Sequence, residues 1–231
     1  MPVLPDLPVT ESAIVELTNA FRRGSKLASV ASEGTLTKAA RDYAGYLAAA
    51  TVFSHEADGR RPADRIKAAG YAACNSAENL AWMLDSRGFE THELASRMVE
   101  GWKGSPPHRQ NMLIEHVTDT GVAVAKVAGA EKYVAVQLFG RPQSLQYQFE
   151  MVNASGRTVS FTVAGKRGEV AADHRVRYTL CTPADLAIDI KDSGLAAKAE
   201  PLRFKTAGGQ VYRLTRAAGG AVKVEVETAA R

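Results

Sequence analysis

From position 145 to 151 apolar Leu145, Tyr147, Phe149 and Met151 alternate strictly with polar Gln146, Gln148 and Glu150. A two-residue period sends successive side chains to opposite faces of an extended chain, so this stretch demands a strand with one buried and one wet face. Comparable runs follow at Val159-Phe161-Val163, Val176-Tyr178-Leu180, Leu186-Ile188-Ile190, Val211 to Leu214 and Val222-Val224-Val226. Asn153-Ala154-Ser155-Gly156 turns the chain after the first of them. Short strands so closely spaced predict a small all-β domain, a sandwich or a barrel.

Upstream the period is helical. Ile14, Leu17 and Phe21 share one face, and Leu36, Ala40, Tyr43 and Leu47 repeat that spacing after Thr35, a candidate N-cap. Pro62 suits the first turn of a third helix that stops at Gly70. Thr91 is placed to cap a fourth, with Leu94, Met98 and Trp102 on one face, and Ser105 to cap a short helix through Leu113. From Asp119 the period shortens: Thr120 to Lys126 and Lys132 to Phe139 read as a hairpin. Gly140-Arg141-Pro142 is the expected boundary, because proline cannot donate to a strand ladder. The chain is therefore expected to be α+β, with helices closing on a sheet over residues 1–142 and the all-β domain over 143–231.

Charge is unevenly divided. Residues 1–142 hold 16 Lys and Arg against 16 Asp and Glu, so the formal excess of +4 falls in 143–231, with 13 against 9. Those basic residues are scattered singly, as at Arg175, Arg177, Arg213 and Arg216, rather than clustered in a stripe, which argues for a solvated face and against a nucleic-acid partner. No apolar run approaches the roughly 20 residues of a transmembrane helix. The proline-rich start, Met1 to Pro8, lacks the basic and apolar regions of a secretory signal. Either the protein is cytoplasmic, or a signal has been removed and this segment leads the mature chain. Cys74 and Cys181 are too few for a disulfide scaffold, and suit one bridge or two buried thiols equally.

Three segments carry chemistry: Phe53-Ser54-His55-Glu56-Ala57-Asp58-Gly59-Arg60, Ala77-Glu78-Asn79-Leu80-Ala81, and Trp102 to Leu113 with its Ser105-Pro106-Pro107-His108-Arg109-Gln110-Asn111 core. A strand Thr118 to Val124 and Gln137-Leu138-Phe139-Gly140 follow, and Asn19-Ala20-Phe21-Arg22 precedes. In this order the segments resemble the CAP superfamily (cysteine-rich secretory, antigen 5 and pathogenesis-related 1 proteins, SCP-like) in its bacterial form, over roughly residues 10–140. The resemblance implies an α-β-α sandwich and a secreted, periplasmic or envelope location. It further implies a ligand cleft in which His55, His108 and Glu78 converge, with Ser105 and Asn79 beside them. A second glutamate found in many eukaryotic members would fall at position 105, where this chain has Ser105.

Two neutral imidazoles and a carboxylate suit a borderline divalent metal such as zinc, bound weakly with one position left open, so His55, His108 and Glu78 are the expected metal ligands. The expected function is a binding module for a small-molecule, lipid or cell-envelope ligand. The rival reading is a hydrolase in which Ser54 or Ser105 is activated by a histidine, although each hydroxyl adjoins its histidine in sequence instead of facing it. A third is a structural or adhesive envelope protein whose working part is the β domain. Glu78 could also serve only to bridge backbone amides. His92, His116 and His174 are read as surface or structural residues, Trp82 and Trp102 as core, and Tyr71 and Arg65 as supports of the cleft, with a solvated helix position the alternative for Arg65.

Overall fold

The Asp6 carboxylate accepts the Val9 amide at 3.0 Å, and Pro8 sits in the first turn, so helix α1 runs Leu7–Gly24 in the computed structural model. The structure describes residues 1–50, 52–190, 200–218 and 220–228. Helix α2, Gly34–Ala49, starts one residue before the expected cap: the Glu33 side chain accepts the Leu36 amide at 2.6 Å, and Thr35 lies inside the first turn. Helix α3, Pro62–Ala68, ends before Gly70, whose φ of 102° lies where a side chain is penalised. Helix α4, Thr91–Gly104, has Glu90 at its N-cap, because the Thr91 hydroxyl is already taken by the Asp6 amide at 3.0 Å. Helix α5, Pro106–Met112, does have Ser105 at its N-cap, but the hydroxyl makes no capping bond. Pro107, at the second helical position, removes one of the two amides such a cap would serve.

Strands β1 (Ala31–Ser32), β2 (Ala73–Leu84), β3 (Asp119–Lys126) and β4 (Lys132–Pro142) form a sheet in the order β1-β3-β4-β2, with β1 parallel to β3 and the other pairs antiparallel. The β-period alternates cleanly across it. Val122, Val124, Tyr133, Ala135 and Phe139 face Ile14 of α1, Met98 and Trp102 of α4 and Met112 of α5. Ala123, Val134, Val136, Leu138 and Leu80 face Leu36, Tyr43 and Leu47 of α2 and Ile66 of α3. One sheet between two helical layers is the α-β-α sandwich. A Cβ at Gly121 would overlap the backbone of Leu36 and Thr37, so glycine there lets α2 begin directly on β3.

The chain divides into two compact units, Met1–Ser144 and Leu145–Arg231. Pro142 is the last residue of β4, and a 3₁₀ turn over Gln143–Leu145 leaves Leu145 exposed, so the alternating strand β5 starts at Tyr147 and ends at Ala154. Then come β6 (Val159–Val163), β7 (Lys166–Val170), β8 (Arg175–Leu180), β9 (Asp185–Ile188), β10 (Leu202–Lys205), β11 (Gln210–Arg216) and β12 (Val222–Thr228). They form two sheets, β10-β9-β6-β7 and β12-β11-β5-β8, and Phe149, Met151, Tyr212 and Leu214 of one share a core with Phe161, Val163, Leu186 and Ile188 of the other. Two sheets over one core make a sandwich. Strands β7 and β10 were not legible in the sequence, because Lys166 to Val170 offers one buried side chain and no clean alternation.

Trp82 corrects the core list. Trp102 is 1% exposed but Trp82 is 48% exposed, on the sheet face beyond Leu80, with the Lys132 ammonium 4.8 Å above its ring. Neither cysteine is a free thiol. Among the described residues no helix is long and apolar enough to cross a membrane.

Candidate functional site

The site is organised by a guanidinium. Arg65 on α3 is 6% exposed, and its Nη2 donates to both oxygens of Glu78 on β2, at 3.0 and 2.8 Å, and to the His55 carbonyl at 2.9 Å. Its Nη1 donates to Asp58 at 2.9 Å and to the Arg60 carbonyl at 2.6 Å, while its carbon lies 3.4 Å over the Tyr43 ring. One side chain thus ties the loop 54–60 to the sheet, and the reading of Arg65 as a solvated helix residue is excluded. Tyr43 adds its hydroxyl to the same loop, donating to the Ser54 carbonyl and accepting the Ala57 amide. Burial alone would raise the Asp58 carboxyl, but hydrogen bonds from Arg60 and the charge of Arg65 outweigh it and hold the group below the usual carboxylate range.

His55 sits at the rim of this frame. Its Nδ1 lies 2.8 Å from Glu78 Oε1, with the imidazole side chain 49% exposed and the carboxylate 1% exposed. An ionised carboxylate only accepts, so this contact places the proton on Nδ1 and leaves the Nε2 lone pair as the basic one. Glu78 and Leu80 share the α2-α3 face of β2, and Asn79 faces the other way, where it positions the second histidine. Asn79 Nδ2 donates to the His108 carbonyl at 3.2 Å, and Asn111 Nδ2 donates to Asn79 Oδ1 at 2.9 Å and to the Glu78 carbonyl at 3.1 Å. Trp102 Nε1 donates to the Leu80 carbonyl at 2.9 Å. Because β2 is an edge strand, these side chains occupy carbonyls that an exposed edge would leave open. The His108 imidazole is held below its ordinary value, first by burial and second by its nearness to His55. The two rings are close enough for the charge of one to disfavour the charge of the other.

His55, Glu78, Asn79 and His108 are thus brought together. Ser105 marks the start of α5 and contributes no bond of its own to the group. Ser54 accepts the Glu56 amide at 3.3 Å, and among the described residues neither serine hydroxyl is bonded to either histidine. Both oxygens of Glu78 accept from Arg65 and one also lies against His55, and among the described residues no three His, Cys, Asp or Glu side chains are grouped to hold an ion. Asn111, Tyr43 and Asp58 belong to the site's frame and were not singled out from the sequence. Their signal was position alone: Asn111 three residues after His108, Asp58 three after His55. Among the other histidines His92 and His174 are exposed and His116 partly buried.

The family model for the cysteine-rich secretory protein family, CAP, matches residues 15–139, more than half of the chain. The Bacillus subtilis protein YkwD is 32% identical over 113 residues, which is 48% of this chain and 41% of YkwD. Among solved structures, an outer surface protein of Borrelia burgdorferi is 22% identical and superposes with a TM-score of 0.51, covering 58% of this chain and 92% of that one. An extracellular SCP-domain protein of Bacillus anthracis is 24% identical with a TM-score of 0.47, over 58% of this chain and 41% of that one. The chain spans less than half the length of YkwD, and the residues matched by the family model lie within the first unit. This chain belongs to the cysteine-rich secretory protein (CAP) family.

Proposed function

We propose that this chain is an exported binding module of the cell envelope whose cleft takes a divalent cation weakly through the two imidazoles of His55 and His108. The reading rests on the Glu78–His55 contact. In metal proteins a carboxylate behind a histidine fixes the tautomer and turns the outer nitrogen toward the ion, and Glu78 stands in that relation to His55. His108 supports it, since burial keeps its ring neutral at a pH where an ordinary histidine begins to protonate. Two protein ligands leave the remaining positions to water or to a ligand's own donors, which suits weak binding and exchange. Export is supported by the surface and extracellular descriptions of the similar proteins and by the absence of free thiols.

The hydrolase reading has no comparable support, because among the described residues no hydroxyl nucleophile is bonded to a histidine. Calorimetric titration of zinc into wild type, His55→Ala and His108→Ala at pH 7.5 and 5.5, values bracketing the histidine reference of about 6.5, tests the proposal. Binding by wild type at the higher pH, lost in both variants and weakened at the lower pH, is the expected result. Equal binding by all three proteins would place the ion elsewhere.

A further inference from the structure

Arg22, in the last turn of α1, is 0% exposed, and among the described residues it has no carboxylate partner. Its three bonds go to carbonyls: Nε to Ala28 at 2.8 Å, and Nη1 to Met112 at 2.7 Å and Ile114 at 2.9 Å. Nη2 is buried with no partner among the described residues, and burial lowers the group's pKa from its ordinary value. An unpaired buried cation is among the costliest groups a core can hold, and a leucine or methionine would fill similar space without that cost.

The three carbonyls explain the arrangement. Met112 closes α5 and Ile114 follows two residues later, while Ala28 lies in the segment after α1. Helix α5 has seven residues and buries one of them, Met112. So short a helix is not stable by itself, and a single apolar anchor leaves it free to rotate and slide. Its placement therefore falls to polar clamps. Asn79 and Asn111 fasten its β2 side, through the His108 carbonyl and the Glu78 carbonyl, and Arg22 fastens its far end to α1.

We propose that Arg22 is the positioning residue of the cleft: its guanidinium fixes the end of α5, and thereby sets where the His108 imidazole stands relative to His55. Arg22 touches no ligand in this scheme. The inference rests on the two-imidazole reading above, and its test separates the two.

The His108 ring-proton chemical shifts are recorded by NMR at one pH well above the histidine reference of about 6.5, in wild type, in Arg22→Lys and in Val134→Ala, a core change on the opposite face of the sheet that serves as the stability control. Zinc is titrated into the same three proteins. A lysine keeps the charge but cannot hold three diverging carbonyls with a planar fork. In folded Arg22→Lys the His108 ring signals should shift as the ring changes its surroundings, and zinc affinity should fall on the order of tenfold, as for loss of an outer-shell partner. Val134→Ala should leave both unchanged. A folded Arg22→Lys with wild-type His108 ring signals overturns the proposal. If wild type binds no zinc while the ring signals still shift, the metal reading fails and the positioning role stands. Should Arg22→Lys not fold, amide exchange in the wild-type protein decides. The amides of α5 and of residues 26–30 should then open together, because one guanidinium holds both, and a separate, easier opening of α5 would overturn the role.

Discussion

Glu78 Oε1 accepts from two sides at once, from His55 Nδ1 at 2.8 Å and from Arg65 Nη2 at 3.0 Å, so one buried carboxylate orients a histidine and neutralises an arginine. Its consequences can be measured.

Glu78→Gln keeps the shape and removes the charge. Arg65 is then left buried with Asp58 as its one carboxylate partner among the described residues. Breaking a buried pair from one side costs about 3–5 kcal/mol, so the urea midpoint should fall steeply with the slope unchanged. A loss below about 1 kcal/mol, the worth of a surface pair, would show that water reaches this pair.

Stability should depend on pH through His108. The folded imidazole titrates below the ordinary histidine value, so between the two values the unfolded chain binds more protons than the folded one. Its contribution is complete above about 6.5 and is lost as pH falls through that value toward the folded one. His108→Gln should flatten the decline between pH 7 and 5 in thermal melts. An equal decline in the variant assigns it to another group. Asp58, held low in the folded state, adds a further loss only in the acid range of carboxylates.

The two tryptophans should behave oppositely. Trp102→Phe removes the indole bond to the Leu80 carbonyl and opens a gap in the core, and should cost a few kcal/mol. Trp82→Phe lies at a half-exposed surface and should change stability by less than about 0.5 kcal/mol. Paired denaturation curves distinguish them, and similar losses would mean that Trp82 is covered in solution.

Cleavage by a non-specific protease should begin between residues 142 and 146, where β4 ends and a 3₁₀ turn precedes β5. Mass analysis of the first fragments reads this directly. First cuts inside 1–135 would mean that the first unit is the weaker one.

Much of this architecture was legible in the chain. Periods of 3.6 and 2 residues located α1, α2, α4, β3, β4 and six strands of the second unit, because a buried face imposes its spacing on the residues that fill it. The motif order located His55, Glu78, Asn79 and His108. The caps were less legible. Glu33 and Thr35 both offer an oxygen near the start of α2, and only the backbone path decides which one reaches the Leu36 amide. Strand β2 carries the motif glutamate, yet its alternation is hidden because Glu78 and Asn79 are buried beside Leu80.

Composition, period and motif, being properties of neighbours in the chain, were enough to determine the family, the layered first unit, the β-rich second unit and the positions of the motif histidines His55 and His108. Roles within the site depend on residues far apart in sequence, and only the tertiary structure decided them. Arg65 meets Glu78 across 13 positions and Arg22 meets Met112 across 90. A carboxylate is a ligand or an orienting group according to what else its lone pairs face, and an arginine is a surface charge or a buried clamp according to which carbonyls fold over it. Those neighbours exist only once the helices have closed on the sheet.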